Sequence, residues 1–292
     1  MTVSSLLRPL AHPGPASPSR RTSIATRVVS EERHLPAGDR LIDAVDRVLH
    51  ELGVSSAQVE LLSGTFATID FVHPALCHDG ATAVTYSETK RAVGPVAVVG
   101  GGMTVGHRDG ERFSHTHMAW LDADGDLRGG HLWPDVVIGV GGVRVHVHGL
   151  LDVELRSEID TESRLPVFTP HACPHGDVAR PTGRAVMSRL APGVVLDDAL
   201  GDLVRESGFA AARIDGSVGS LVGAVVDRSG SRTLVIDGPA TEVALRGDLA
   251  PGASPRVHAL VIDRFGSTFS GLLTPGANLV AVTLELLVRE VR

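Results

Sequence analysis

Hydrophobic residues recur at three- and four-residue spacing in the segment LIDAVDRVLHEL, residues 41–52. This period places the apolar side chains on one face of a helix, and the following Gly53 is a natural C-terminal stop. Further along, short apolar or alternating runs such as AQVELLSGTFATIDFV and VRVHVHGLLDVELR are separated by glycines and polar turns. Such runs are typical of strands. The pattern therefore predicts an α+β fold, with one main helix packed on a largely antiparallel sheet.

The same pattern occurs twice along the chain. Residues 35–64 align with residues 190–219 at a shift of 155, and residues 117–134 align with residues 258–275 at a shift of 141. Two matches in the same order predict two homologous tandem domains, of which the second is shorter in its middle. We expect a disordered extension over 1–26, a first domain over 27–158, a linker over 159–183 and a second, degenerate domain over 184–292.

Composition narrows the possible classes of protein. The chain has 292 residues, of which 43% are hydrophobic, so each predicted domain can bury a core. The net charge of −7 gives no electrostatic reason to bind nucleic acid. No run approaches the roughly 18 apolar residues of a membrane helix. Because Cys77 and Cys173 are the only cysteines, a cytoplasmic location is the simplest expectation.

The segment SHTHMAWLDADGDLRGGHL carries three histidines around a predicted turn. On an extended strand His115 and His117 point to the same face. A three-residue loop at 123–125, with glycine last, places His131 opposite His117 and diagonal to His115. A two-residue Asp-Gly turn would instead place Met118 opposite His131 and separate the three rings. The spacing therefore predicts a convergent trio only for the longer turn.

Three converging imidazoles are suitable ligands for Zn²⁺ or, as weaker alternatives, for Ni²⁺, Fe²⁺ or Mn²⁺. Three protein ligands leave a coordination position open, as in catalytic zinc sites, where the ion acidifies a bound water or polarises a carbonyl. The alternative is that these are ordinary surface residues of a chain with 14 histidines. The hairpin geometry favours the metal site.

These residues also carry a resemblance to a known family. HTHMAWLDADGDLRGGHL is similar to the HxH…G…GGHL signature of the PPC domain, also called PCC, the plants-and-prokaryotes-conserved domain. The likeness covers residues 27–158 and, in weaker form, residues 184–292. It implies an α+β fold with a largely antiparallel central sheet, and homotrimeric assembly of single domains. A tandem chain could then form either a trimer of two-domain chains or a pseudo-symmetric ring. The likeness also implies a metal ion, most often zinc, on the three signature histidines, His115, His117 and His131.

The second copy departs from this signature. It has Arg256 and Leu272 where the first copy has His115 and His131, and it keeps only His258. One imidazole cannot hold a catalytic zinc ion. We therefore expect the second copy to be a metal-free scaffold.

Other histidines are weaker candidates. His107 and Glu111 precede the signature and are candidates for groups behind the ligands or for an acid or base. Arg144, His146 and His148 lie on one strand face, which is either a ligand pocket or, more simply, a solvated polar surface. Two loop clusters faintly resemble soft-metal sites: His73, Cys77 and His78, and His171, Cys173 and His175.

Three functions are consistent with the sequence. The preferred one is a metal-dependent protein that acts on or senses a small molecule, by metal-assisted hydrolysis, hydration or lyase chemistry. The second is a DNA-associated regulator of the PPC type. The DNA contact of plant members resembles an AT-hook with an Arg-Gly-Arg-Pro core, which ARPTGR at 179–184 lacks. The third is a non-catalytic, metal-stabilised assembly protein.

Overall fold

The computed structural model describes residues 8–173, 180–228 and 232–291. Within these ranges the chain forms two helices and eighteen strands. Each helix has only twelve residues, so the fold is mostly β-sheet, and the α+β prediction overstated the helical share. No helix in the described part of the chain has the length and apolar character needed to span a membrane.

The first half, together with the segment that follows it, contains one helix and ten strands. In chain order these are β1 (Arg21–Leu35), α1 (Leu41–Leu52), β2 (Ala57–Val72), β3 (Pro74–Leu76), β4 (Val84–Tyr86), β5 (Lys90–Arg108), β6 (Glu111–Leu121), β7 (Leu127–Leu132), β8 (Val137–Leu150), β9 (Val153–Ile159) and β10 (Pro166–Ala172).

The described part of the second half contains one helix and eight strands. In chain order these are β11 (Gly183–Leu190), α2 (Leu196–Ser207), β12 (Ala212–Leu221), β13 (Ala224–Arg228), β14 (Arg232–Ile236), β15 (Thr241–Leu249), β16 (Arg256–Ile262), β17 (Thr268–Leu273) and β18 (Val280–Glu290).

The two halves pair their strands in the same order. Neighbouring strands run β1-β8-β2-β5-β6-β7 in the first half and β11-β18-β12-β15-β16-β17 in the second, and all of these pairs are antiparallel. Strand β1 pairs with β8 through its C-terminal part and with β11 through its N-terminal part. Sixteen strands therefore form one continuous sheet rather than two separate ones.

Each helix covers one face of its half. The predicted helix over residues 41–52 is confirmed, and it ends at Gly53 in the left-handed conformation with φ 67°. Its apolar stripe is buried, as the spacing predicted. Helix α2 ends in the same way at Gly208. The two helices cover separate hydrophobic cores, one in each half.

The faces opposite the helices meet along what we call the seam, where β2, β5 and β6 of the first half contact β12, β15 and β18 of the second. The two backbones approach closely there, because a Cβ atom on Gly102 would lie 2.7 Å from the carbonyl oxygen of Gly216. Polar groups are buried along the seam. They include Gln58, Thr104, Ser217 and Glu285.

The predicted disordered extension and the predicted linker are structured where they are described. Strand β1 begins at Arg21, inside the predicted disordered extension, and residues 8–20 pack without regular secondary structure. The Gly14 amide donates to the Glu162 carbonyl at 2.9 Å, and His12 Nε2 lies 2.8 Å from the Ala281 carbonyl. The predicted linker over 159–183 contains strand β10. Residues 1–7 and 174–179 lie outside the described residues.

Candidate metal centre

The β6–β7 hairpin positions the three signature histidines. Its register pairs His117 directly with His131, as predicted. The Asp122 amide donates to the Asp126 carbonyl at 3.0 Å, and Gly125 adopts a φ of 84° at the end of the three-residue loop. A side-chain oxygen of Asp122 also accepts the Asp126 amide at 2.9 Å, which stabilises the turn. The predicted longer turn is confirmed.

The three imidazole rings converge on one point. His117 Nε2 lies 3.0 Å from His115 Nε2 and 3.2 Å from His131 Nδ1. The centres of the rings are 4.5 to 5.2 Å apart. His117 is completely buried, and His131 is 5% exposed. The structure therefore brings the predicted trio together in the interior, beside the seam.

Two carboxylates from the second half complete the cluster. Glu242, on β15, places Oε2 at 2.6 Å from His117 Nε2, and Glu285, on β18, places Oε2 at 2.9 Å from His115 Nδ1. The nearest ligand atoms of Glu242 and the three histidines all lie within 4.8 Å of one another. The expectation that the second half is only a scaffold is therefore wrong, because its strands supply both acids.

Hydrogen bonds on the outer ring nitrogens fix which nitrogens face the centre. His117 Nδ1 lies 2.9 Å from the Val243 carbonyl oxygen, which can only accept, so Nδ1 carries the proton. The other ring nitrogen, Nε2, then faces inward, toward the Glu242 carboxylate. Two acceptors 2.6 Å apart repel each other unless a cation or a proton lies between them. The cluster has the donor set and the outer hydrogen bonds of a metal centre.

Charge and burial shift the pKa values within the cluster. Burial lowers the pKa of His115, but the Glu285 carboxylate outweighs this effect and raises it above the ordinary value. Burial, with the neighbouring rings, lowers the pKa of His131 well below its ordinary value. Burial raises the pKa of Glu242, but His117 outweighs it and lowers this pKa. A neutral His131 and an ionised Glu242 are the forms that bind metals.

A cavity of about 250 Å³ borders the cluster. His115, His131, Glu242 and Glu285 contribute to its wall. Most of the lining is apolar and comes from both halves and from the segment between them: Val84, Phe113, Val167, Phe168, Ala240 and Val282. The cavity therefore gives a small molecule an apolar environment next to three of the potential ligands, His115, His131 and Glu242.

Three polar groups in this wall are notable. Arg108 stacks on Phe113, with its guanidinium carbon 3.5 Å from the ring centre, and its Nε donates to Ser157 Oγ at 3.0 Å. No carboxylate of the described residues forms an ion pair with Arg108. The buried Glu285 Oε1 and Thr283 Oγ1 have no hydrogen-bond partner among the described residues. The wall thus offers one cationic group, one carboxylate oxygen and one hydroxyl to a ligand.

The five weaker candidates lie outside this centre. His107 lies 3.5 Å from Glu154, and Glu111 and Arg144 are exposed. His146 and His148 face Glu60 in a separate group.

The two loop clusters do not form metal groups among the described residues. His73 contacts the Gly129 carbonyl, and Cys77 donates to Asp79. His171 pairs with Glu158 at 3.5 Å. His175, which completes the second cluster, lies outside the described residues.

Sequence reasoning missed Glu242, Glu285 and Arg108. Neither glutamate belongs to a local motif, and both reach the histidines only through the packing of the halves. Arg108 lies seven residues before His115, at the end of β5, where an arginine is usually solvated. No sequence signal distinguishes these three residues from the other charged residues.

Several solved structures resemble parts of this chain. A hypothetical protein from Salmonella enterica is 31% identical over 39% of this chain and 81% of its own, with a TM-score of 0.35. A metal-containing protein from Archaeoglobus fulgidus is 20% identical over 48% of this chain and 93% of its own, with a TM-score of 0.40. A plant- and prokaryote-conserved (PPC) protein from Pyrococcus horikoshii is 16% identical over 52% of this chain and 97% of its own, with a TM-score of 0.39.

The comparison with curated proteins finds no match. The sequence profile of the Plants and Prokaryotes Conserved (PCC) domain matches residues 33–148, a range that contains helix α1 and the whole β6–β7 hairpin with its three histidines. Through this segment the chain belongs to the PCC domain family.

Proposed function

We propose that this protein holds a divalent transition-metal ion, most simply Zn²⁺, between His115, His117, His131 and Glu242. The observation that carries the proposal is the inward-facing Nε2 of His117. This nitrogen faces a carboxylate and two other ring nitrogens at 2.6 to 3.2 Å. A shared cation relieves the repulsion among these groups.

The spacing of the ligand atoms supports this assignment. In a tetrahedral site with bonds of about 2.1 Å, the ligand atoms lie roughly 3.4 Å apart. The nitrogen–nitrogen distances of 3.0 and 3.2 Å are close to that value. When bound, the ion would supply Lewis-acid chemistry for hydrolysis, hydration or a lyase step. Val243 and Glu285 would hold the rings of His117 and His115 in the binding orientation.

The adjacent cavity favours a small molecule with a carboxylate and a short apolar body. Arg108 supplies the cation that such a carboxylate requires, and its guanidinium has N–H groups beyond the one that Ser157 accepts. The apolar wall accommodates the remainder of the molecule. We propose that the carboxylate binds Arg108 while the opposite end of the molecule lies against the histidines.

Elemental analysis and calorimetry test this function together. The full chain loaded with Zn²⁺ is expected to carry metal at this centre and to bind butanoate more tightly than 1-butanol. Arg108→Gln should lose the preference for butanoate, whereas the exposed Arg144→Gln should retain it. If the chain binds metal but shows no preference for butanoate over 1-butanol, the result would favour the non-catalytic assembly protein. Absence of stoichiometric metal would contradict the proposal altogether.

Nucleic-acid binding has no support from the charge of this chain, which is −7. A gel shift on random duplex DNA tests it directly. We expect no complex at moderate salt, and a complex that survives added salt would favour the regulator instead.

We further propose that residues 27–158 and 184–292 are two copies of one domain and that the chain assembles as a homotrimer. The shared strand order, the two glycine helix ends and the repeated hairpin turn support the duplication. Exposed apolar side chains are available for assembly, notably Val140 at 92% and Val93 at 69% exposure. Light scattering during size-exclusion chromatography tests for a mass three times the 30.6 kDa of one chain.

A further inference from the structure

A second group of potential ligands lies on neighbouring strands of the first half. Glu60, on β2, is the register partner of His146 on β8, and His148 follows two residues later on the same face. His146 Nδ1 and His148 Nε2 each lie 3.6 Å from Glu60 Oε2. The two rings are 4.2 Å apart between centres. The group shares no residue with the first centre.

An unsatisfied nitrogen points into this group. His148 is completely buried, and its Nδ1 lies 2.9 Å from Ser30 Oγ. Its Nε2 is buried and has no hydrogen-bond partner among the described residues. Buried polar atoms are nearly always satisfied by protein, water or an ion. The orphan nitrogen faces the Glu60 carboxylate, so a bound species between the two would satisfy both.

The second half shows how the same position is satisfied without an ion. The strand registers place Asp215 and Arg289 where the first half has Glu60 and His148, and these two side chains form an ion pair at 2.6 Å. In the first half no arginine or lysine of the described residues pairs with Glu60. His148 lies where the second half has the Arg289 guanidinium, and His146 lies where it has Leu287. The carboxylate therefore faces two potential metal ligands instead of a fixed cation.

We propose that Glu60, His146 and His148 form a second site for a divalent transition-metal ion at the seam. Distances of 3.6 Å between the oxygen and each nitrogen fit the roughly 3.4 Å of a tetrahedral site. Two histidines and one carboxylate are a known ligand set for zinc and for non-haem iron, and they leave positions open for water.

The site is reachable from solvent on one side. The side chains of His146 and Glu60 are 28% and 19% exposed, whereas His148 is enclosed. An ion can therefore enter past His146 and Glu60 and meet the buried ring last. His146 and Glu60 are also better positions for substitution than His148, because changing a partly exposed side chain disturbs the packing less than changing a buried one.

Zinc titration of the metal-free full chain, in competition with a chromophoric chelator, tests this site. We expect two equivalents for the wild type and one each for His146→Ala, Glu60→Gln and His117→Ala. In His146→Ala the affinity for the second equivalent should fall by more than the roughly 10–100-fold that removal of an outer-shell partner costs. Because His117 belongs only to the first centre, the variants distinguish failure of this site from failure of the proposed function. Substitution with Co²⁺ then reports tetrahedral geometry for each equivalent.

The matched control is His171→Ala. His171 also faces a glutamate, Glu158, at 3.5 Å, but among the described residues it has no second imidazole in a metal-binding group. This variant should keep both equivalents. The proposal is overturned if His146→Ala and Glu60→Gln bind as many equivalents as the wild type with unchanged affinity, or if His171→Ala loses an equivalent. Circular dichroism verifies that each variant is folded. If His146→Ala does not fold, Glu60→Gln alone tests the site.

Discussion

The β6–β7 and β16–β17 hairpins have the same backbone and different chemistry. In the first, the Asp122 amide donates to a carbonyl across the turn and Gly125 has a φ of 84°. In the second, the Asp263 amide donates across the turn in the same way and Gly266 has a φ of 83°. His117 pairs with His131, and its counterpart His258 pairs with Leu272. The comparison shows that turn and register persist while the histidines of the candidate centre do not.

The half without the histidine trio nevertheless completes the centre of the other. Its strands β15 and β18 carry Glu242 and Glu285 across the seam to His117 and His115. The second half is thus poor in imidazole and supplies carboxylate. Substitutions in the first half and in the second half can therefore test whether both contribute ligands.

The largest expected effect comes from His117→Ala, compared with His258→Ala. His117 contacts all of the other candidate ligands, whereas its counterpart His258 is exposed in a hairpin without further imidazoles. We expect the first variant to lose one metal equivalent and the second to lose none, as measured by elemental analysis. Equal metal content in both variants would remove the functional difference between the hairpins.

The next largest effect tests whether the halves unfold together. Leu49 in α1 and its counterpart Val204 in α2 are both buried. Leu49→Ala should cost about 2–5 kcal/mol and Val204→Ala roughly 2 kcal/mol of unfolding free energy.

The two tryptophans make this test specific. Trp120 and Trp133 both lie in the first half, so fluorescence reports that half and circular dichroism reports both. Because one sheet joins the halves, we expect Val204→Ala to shift both signals equally in urea. A shift of circular dichroism alone would show independent unfolding.

Glu242→Gln is expected to weaken the first metal equivalent by at least the roughly 10–100-fold that loss of an outer-shell partner costs, because a neutral amide binds a cation less well than a carboxylate. Asp248→Asn is the control, since Asp248 lies on the same strand and is exposed. Competition with a chelator measures both affinities. Unchanged affinity in Glu242→Gln would assign the first centre to the first half alone.

The smallest expected effect concerns an ion pair that links the segment after β9 to strand β11. Asp160 accepts the Ser163 amide at 2.8 Å and pairs with Arg189 at 2.7 Å. Burial raises the pKa of Asp160, but these two partners outweigh it and hold this pKa below its ordinary value. The stabilisation is therefore present above about pH 4, the unfolded value, and is lost as the pH falls through the folded pKa.

Asp160→Asn should accordingly lower the unfolding free energy by about 1–3 kcal/mol at pH 7, and by less at pH 3. Urea titrations at the two pH values measure the difference. Asp202→Asn, which removes an exposed pair with Arg205, should change little at either pH. A loss of the same size at both pH values in Asp160→Asn would contradict this account.

Local spacing was enough to predict helix α1 and the hairpin register. The helix follows from apolar residues at helical spacing before Gly53, and the register follows from one glycine at the third position of a loop. Both depend on contacts between residues close in sequence. The three histidines could therefore be placed on one face before any tertiary structure was known.

The carboxylates and the cavity could not be predicted in that way. Glu242 lies 125 residues from His117, and its position depends on how the two sheet faces pack. The apolar wall includes Val167 and Phe168, from a segment whose prolines and polar residues indicated an exposed linker. Periodicity shows which face of a strand is buried, but it does not identify what covers that face.

Strand β1 has a consequence for any attempt to divide the molecule. It bonds to β8 over Val28–Leu35 and to β11 over Arg21–Val28, so it is the common border of both halves. A cut in the connecting segment would leave each fragment with a long row of unpaired amides and carbonyls, which is a template for aggregation. In isolated fragments Glu242 and Glu285 of the second half would also be separated from the three histidines of the first.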